Sequence, residues 1–238
     1  MNTVRPLRIL AASMVGSGST FLYNVAREIL ESDPRLKTLA TYSDEWNPRF
    51  DGNHHLLLKS HWGVRALLPL AERGYLRPVI TTRHPGDCVC SDMDRFGFSF
   101  NFALKRVDLS LKFVGPLRAL PDTLPFRYED RFTAGTITAE SLTRLFGLKL
   151  DSSRLTNISR KYDAAATRAY AAKLESLPKL NRSPDNPDDV WCPITQIHRG
   201  HIGKLVSGRW RDLPADHRRA IADLCGEEAS AFGYEFDD

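Results

Sequence analysis

The sequence predicts an α/β protein of three layers, α/β/α, around a central and mainly parallel sheet. Three observations carry that expectation. An apolar run over residues 7–14 breaks into Gly16-Ser17-Gly18-Ser19-Thr20 and resumes as a helix-like segment over 21–31. Strand-sized apolar segments then alternate with helix-period ones as far as residue 146. The length, 238 residues at 42% apolar content, is enough for one large core. A single domain over 1–238 is expected, with no repeats and no second core.

Residues 7–14 read as the first strand. Arg5 and Arg8 precede apolar residues as in a secretory leader, yet the stretch 9–15 is short and runs straight into the turn. In that turn the small residues let backbone N–H groups approach an anion closely, and the helix over 21–31 aims its free amides at the same point. The geometry favours phosphate or sulfate; a plain tight connection after a strand is the alternative. A magnesium-nucleotide loop would place lysine directly after the second glycine, and Ser19 stands there instead.

Residues 38–46 are ambiguous and 47–54, with Pro48 and Gly52, read as a loop. A short buried strand is predicted over 55–59, a helix over 64–74 and a further strand over 78–82. Strand, helix, strand implies parallel pairing. Helices follow over 86–96 and 104–120, a strand over 124–128 and a helix over 139–146. From 151 onward the chain is helical and polar, with a Pro- and Asp-rich stretch at 183–189 and a final helix over 215–232.

Composition narrows the function classes. A net charge of +4 without a basic tail suits an anionic small molecule and argues against nucleic acid. Cysteines 88, 90, 192 and 225 form no Cys-X-X-Cys pair and no metal-spaced set with histidine, which points to a reducing compartment, the cytoplasm, and to no metal site. No apolar run approaches the roughly 20 residues a spanning helix needs, so membrane insertion is not expected.

The second informative segment is Thr82-Arg83-His84-Pro85-Gly86-Asp87-Cys88-Val89-Cys90-Ser91, directly after a predicted strand. An arginine at a strand's carboxyl end donates a forked pair of hydrogen bonds, and a serine in the next helix adds a hydroxyl from the side. Arg83 and Ser91 are therefore a candidate clamp on one phosphate. A salt bridge from Arg83 to Asp87 is the plainer alternative. Phe96, Phe98, Phe100 and Phe102 alternate, which on an extended segment places four rings on one face, as the wall of an apolar pocket or as core.

Together, the glycine-serine turn and an arginine and serine eight positions apart resemble the sulfotransferases that use 3′-phosphoadenylyl sulfate, PAPS, as donor. In that family a Lys-Ser-Gly-Thr-Thr-Trp-like loop holds the 5′-phosphosulfate, and Gly16, Ser17, Gly18, Ser19, Thr20 and Phe21 fall on it, Phe21 replacing the aromatic that stacks on adenine. Arg83 and Ser91 fall on the 3′-phosphate site. Lys59-Ser60-His61 is similar to the family's Lys-Thr-His, whose histidine is the catalytic base, and Tyr128-Glu129-Asp130 is similar to a Tyr-Glu-Asp whose tyrosine reaches the nucleotide. His198-Arg199-Gly200, followed by Gly203, resembles the Arg-Lys-Gly-X-X-Gly loop over the 3′-phosphate, and Gly208-Arg209-Trp210-Arg211 resembles the Gly-Asp-Trp region after it.

The resemblance implies a P-loop-NTPase-like sulfotransferase architecture and transfer of a sulfuryl group from PAPS to a hydroxyl or amine of a small-molecule or carbohydrate acceptor. Adenosine 3′,5′-bisphosphate, PAP, would be released and no metal required. His61 would be the base. Two positions depart from the family: Gly16 stands where relatives keep a lysine or arginine that stabilises the departing phosphosulfate, and His198 where the loop has its first arginine. Lys59 is the candidate to supply the missing charge. A nucleotide or small-molecule kinase, and a non-catalytic adenosine bisphosphate-binding protein, are the competing readings. The acceptor and the oligomeric state are not legible.

Overall fold

The strands follow from continuous apolar runs, which is what a parallel sheet covered on both faces demands. The structure is a computed structural model and describes residues 5–182, 190–200, 202 and 206–236. β1 (Arg8–Ser13), β2 (Thr38–Tyr42), β3 (His55–Ser60), β4 (Arg77–Thr82) and β5 (Leu124–Arg127) form one sheet in the order β2-β3-β1-β4-β5. Every pairing within it is parallel, with Ala11 opposite both Lys59 and Val79. β1 lies at the centre, where the chain switches from building one side of the sheet to the other.

Alternate residues of β1 feed opposite faces. Ile9 and Ala11 join Leu57 and Val79 in a core with α1 (Ser19–Glu31), α5 (Ile137–Phe146) and α6 (Ser152–Lys161). Leu10 and Ala12 join Leu56, Leu58 and Ile80 in a second core. That core holds residues of α2 (Leu68–Glu72), α3 (Pro85–Phe96), α4 (Phe100–Arg118) and α8 (Ala215–Ser230). The three-layer α/β/α expectation is met. Outside the main sheet, α7 (Ala164–Ala172) is followed by a two-residue pair, β6 (Asn181–Arg182) antiparallel to β7 (Val190–Trp191).

Three local expectations change. Residues 38–46 contain the edge strand β2, whose five residues are all only partly buried, so no clean periodicity marks it. The helix expected over 64–74 shrinks to α2, because turns hydrogen-bonded back to Gly63 occupy its start and Pro69 sits in the first helical turn, where its missing N–H costs nothing. The phenylalanines at 96, 98, 100 and 102 do not line an extended segment: Gly97, at φ +66°, ends α3, and α4 begins at Phe100. Phe100 instead stacks on His217 at 3.7 Å.

Among the described residues no helix is long and apolar enough to cross a membrane. The stretch 183–189 and Gly203, which the sequence singled out, lie outside the described residues.

Candidate active site

All the strands of the main sheet end on one side, and the residues that immediately follow β1, β3, β4 and β5 meet there. Gly16 and Gly18 take φ of +73° and +85°, which turns the chain from β1 into α1 and leaves that helix without a side-chain cap. Ser17 serves the loop itself: its buried hydroxyl donates to the Met14 carbonyl at 2.6 Å and pairs with the Thr81 hydroxyl at 2.7 Å. A Cβ on Gly16 would sit 3.3 Å from both Cβ and Oγ of Ser91, so the loop packs directly against α3. A side chain at position 16 would have to displace the serine expected to join the clamp.

Lys59, at the end of β3, is buried and donates from Nζ to Thr20 Oγ1 at 2.7 Å. Burial, with a contribution from the Arg95 charge, pushes its ammonium down to about 7. His61 donates from Nδ1 to the Ser13 carbonyl at 2.7 Å, since a carbonyl only accepts, and Nε2 is left with a free lone pair. Burial first, then the Lys59 charge, pushes this imidazole down to about 3. That is far below the value near 6.5 of a free histidine, so His61 is neutral at physiological pH.

Asp44, which the sequence did not single out, holds this corner in place. Its Oδ1 accepts from Ser60 Oγ at 2.6 Å and from the backbone N–H groups of His61 and Trp62 at 3.3 and 3.2 Å, while Oδ2 accepts from the Tyr42 hydroxyl at 2.8 Å. The Tyr42 and Trp62 rings lie 6.0 and 5.5 Å from the His61 ring.

Arg83, 4% exposed, follows β4. It donates to the carbonyls of Gly16 and Val206 at 3.3 and 3.0 Å, and its guanidinium lies 4.3 Å from the centre of the Tyr128 ring. The ion pair with Asp87 is loose, at 4.0 Å. Asp87 instead accepts from the N–H groups of Gly208 and Trp210 at 2.7 and 3.2 Å, which ties the Gly208-Arg209-Trp210 segment to the start of α3. Gly86 is required there, because a Cβ would come within 2.4 Å of Trp210 Cβ.

Gly16, Gly18, Lys59, His61, Arg83, Ser91 and Tyr128 border one cavity of about 580 Å³, within the range of small-ligand sites. Of the residues the sequence pointed to, Ser17, Arg199 and Gly200 lie outside its walls. His198 reaches the cavity, stacked on Trp191 at 5.5 Å. Arg199 points away, half exposed, into an ion pair with Glu175, and Gly200 presents its carbonyl to Arg95 Nε at 3.2 Å. In this arrangement the 198–200 segment brings a histidine to the cavity and leaves the arginine outside it.

The segment around Thr195 is tied to α1. Asn24 Nδ2 donates to the carbonyls of Thr20 and Thr195 at 2.8 and 2.7 Å. In the same turn, the Tyr170 hydroxyl donates to Cys192 Sγ at 3.2 Å. Burial alone would push this thiol up, but hydrogen bonds from Thr195 and Tyr170 outweigh it and hold Cys192 below the ordinary range. Burial pushes the thiols of Cys88, Cys90 and Cys225 up.

The backbone matches a mouse sulfotransferase complexed with PAP at a TM-score of 0.62 and 16% identity, over 98% of this chain and 90% of that one. This is the sulfotransferase fold. Retinol dehydratase in a complex with retinol and PAP matches at a TM-score of 0.61 and 14% identity, over 99% of this chain and 84% of that one. No protein-family model and no curated protein matches the sequence. At these identities the sulfotransferase fold is shared, and the chemistry has to be argued from the side chains.

Proposed function

We propose that this chain is a PAPS-dependent sulfotransferase acting on a small-molecule hydroxyl or amine. The observation that carries the reading is Arg83, buried between the glycine loop and the Tyr128 ring beside Ser91, in the same cavity as His61 and Lys59. PAP bound in two sulfotransferase-fold relatives supports it.

In this reading the loop over 16–20 and Lys59 hold the 5′-phosphosulfate, Arg83 and Ser91 hold the 3′-phosphate, and Phe21 and Tyr128 flank the nucleotide. The acceptor oxygen or nitrogen forms a bond to sulfur as the sulfur–oxygen bond to phosphate breaks. PAP leaves with the electron pair, and the acceptor proton passes to His61 Nε2. A histidine held near 3 is a poor base in the free protein. An anionic donor beside Lys59 offsets the charge that depresses it, so loading the donor raises the basicity of His61 when it is needed. His198 adds a cation to the 3′-phosphate end only when protonated. Lys59 stands in for the loop cation that Gly16 lacks.

All four cysteines are unpaired, which suits a reducing, cytoplasmic setting. Ser19 in place of the loop lysine argues against a magnesium-dependent kinase. Calorimetric titration with PAP tests the reading: PAP binds, Arg83→Ala weakens binding by about 100-fold, and ATP with magnesium binds less well. Preference for magnesium-ATP, or PAP binding indifferent to Arg83→Ala, refutes it. PAP binding without sulfuryl transfer to any acceptor would favour the non-catalytic reading.

A further inference from the structure

Glu129 is a member of the Tyr128-Glu129-Asp130 motif to which the proposed reaction gives no task. The three residues form a single turn directly after β5, and the Glu129 carboxylate reaches two other parts of the chain. Oε1 accepts from the backbone N–H of His84 at 2.9 Å. Oε2 accepts from the Tyr234 hydroxyl at 3.0 Å, and that hydroxyl also lies 3.0 Å from Thr82 Oγ1. Neither Glu129 nor Tyr234 borders the cavity that holds Arg83 and His61; both line a separate groove of about 460 Å³.

The residues joined in this way flank the phosphate clamp. β4 and β5 stay paired as far as Thr82 opposite Arg127, so Arg83 and Tyr128 are the first residues beyond the sheet. The bond from the His84 N–H to Glu129 carries the connection one residue past each of them. Tyr128 has a further hold within its own turn, where its carbonyl accepts from the Arg131 N–H at 3.0 Å. On the other side, His84 caps the start of α3, its Nδ1 accepting from the Gly86 N–H at 3.2 Å. A shift of the backbone at residues 83 and 84 would carry the guanidinium away from the Tyr128 ring, which lies 4.3 Å from it.

Tyr234 is itself held firmly. It is buried, and the Arg127 guanidinium lies over its ring at 4.7 Å. Next to it, the Glu235 carbonyl accepts from His84 Nε2 at 3.1 Å, and the Phe236 ring sits 4.9 Å from the His84 ring and 5.8 Å from that of Trp210. The segment that follows α8 therefore grips both Glu129 and His84. A carboxylate fixed by donors from two separate segments keeps one orientation, and a residue outside a site can in this way set the geometry within it.

Given the donor site above, on which this rests, we propose that Tyr234, acting through Glu129, is a positioning residue of the 3′-phosphate clamp. Its effect is selective. A loosened Arg83 weakens the hold on a 3′-phosphate and leaves the grip of the glycine loop and Lys59 on a 5′-phosphate as it was.

The test is titration of each form with PAP and with adenosine 5′-monophosphate, which lacks only the 3′-phosphate. The wild type is expected to prefer PAP. Tyr234→Phe removes the hydroxyl and keeps the ring over Arg127; it should lower that preference about fivefold. Glu129→Ala removes both links and should lower it by about tenfold or more. In both variants the affinity for the monophosphate should stay within about twofold. Glu129→Gln keeps an acceptor for the His84 N–H and should restore most of the preference. An unchanged preference in Tyr234→Phe overturns the proposal. So does an equal loss for both nucleotides, which is what a merely structural role would give. If the wild type itself binds PAP no better than the monophosphate, the Arg83 clamp has fallen, and a failure confined to the variants leaves the donor reading standing.

Discussion

Lys59 makes donor binding a protonation event. In the free protein its ammonium titrates at about 7, so at pH 8 about one molecule in ten carries the charge. Against the 5′-phosphate of PAP, an opposite charge at close range returns the group toward its ordinary value near 10.4, and Lys59 becomes almost fully protonated. Binding at pH 8 should then take up about 0.9 proton per PAP. At that pH His61 is neutral and the phosphates of PAP, whose second ionisation lies near pH 6, are fully charged, and Lys59→Met assigns the uptake to the lysine. The sign is fixed: the group binds its proton more tightly in the complex, so this contribution to affinity is full below pH 7 and is lost by about tenfold per unit between pH 7 and about 10. Calorimetry in buffers of different ionisation heat measures the uptake as the slope of apparent enthalpy against buffer heat. Lys59→Met should remove the slope at pH 8. PAP binding in the wild type without proton uptake at pH 8, or an unchanged slope in Lys59→Met, would refute the reasoning.

Two further substitutions test the scaffold around the site. Asp44→Ala leaves the Ser60 hydroxyl and the N–H groups of His61 and Trp62 without their acceptor. It should cost about 1–3 kcal/mol in urea unfolding, and Asp44→Asn, which keeps an acceptor oxygen, should cost less; equal midpoints for all forms would count against the network. Gly16→Lys, which places the family's cation back in the loop, should lower stability by about 1–2 kcal/mol because of the positive φ and the Ser91 contact at 3.3 Å. A tighter PAP complex at unchanged stability would show that the loop has room after all.

What the sequence made legible was whatever follows directly from a strand end. The glycine loop, His61 and Arg83 each come one to three residues after an apolar run, so locating the run located the residue. Asp44 was hidden because its importance depends on β2 lying beside β3, with Tyr42 opposite Lys59, and β2 is an edge strand with no clean pattern. The pairing of Arg199 with Glu175 was not legible, because a short loop motif carries no record of a partner from a segment without any motif. The protonation states of Lys59 and His61 were equally out of reach, since burial and mutual repulsion set them and neither belongs to a residue in isolation.

The chain also carries its own reporter. Among four buried cysteines, Cys192 alone has a thiol held below the ordinary range, and it sits under the segment that Asn24 fastens to α1 through Thr195. A small alkylating reagent applied to the native protein therefore meets one thiol that is more acidic than an ordinary cysteine and is shielded by burial. Its rate of labelling reports how far that segment shields the thiol, with no engineered probe and no knowledge of the acceptor.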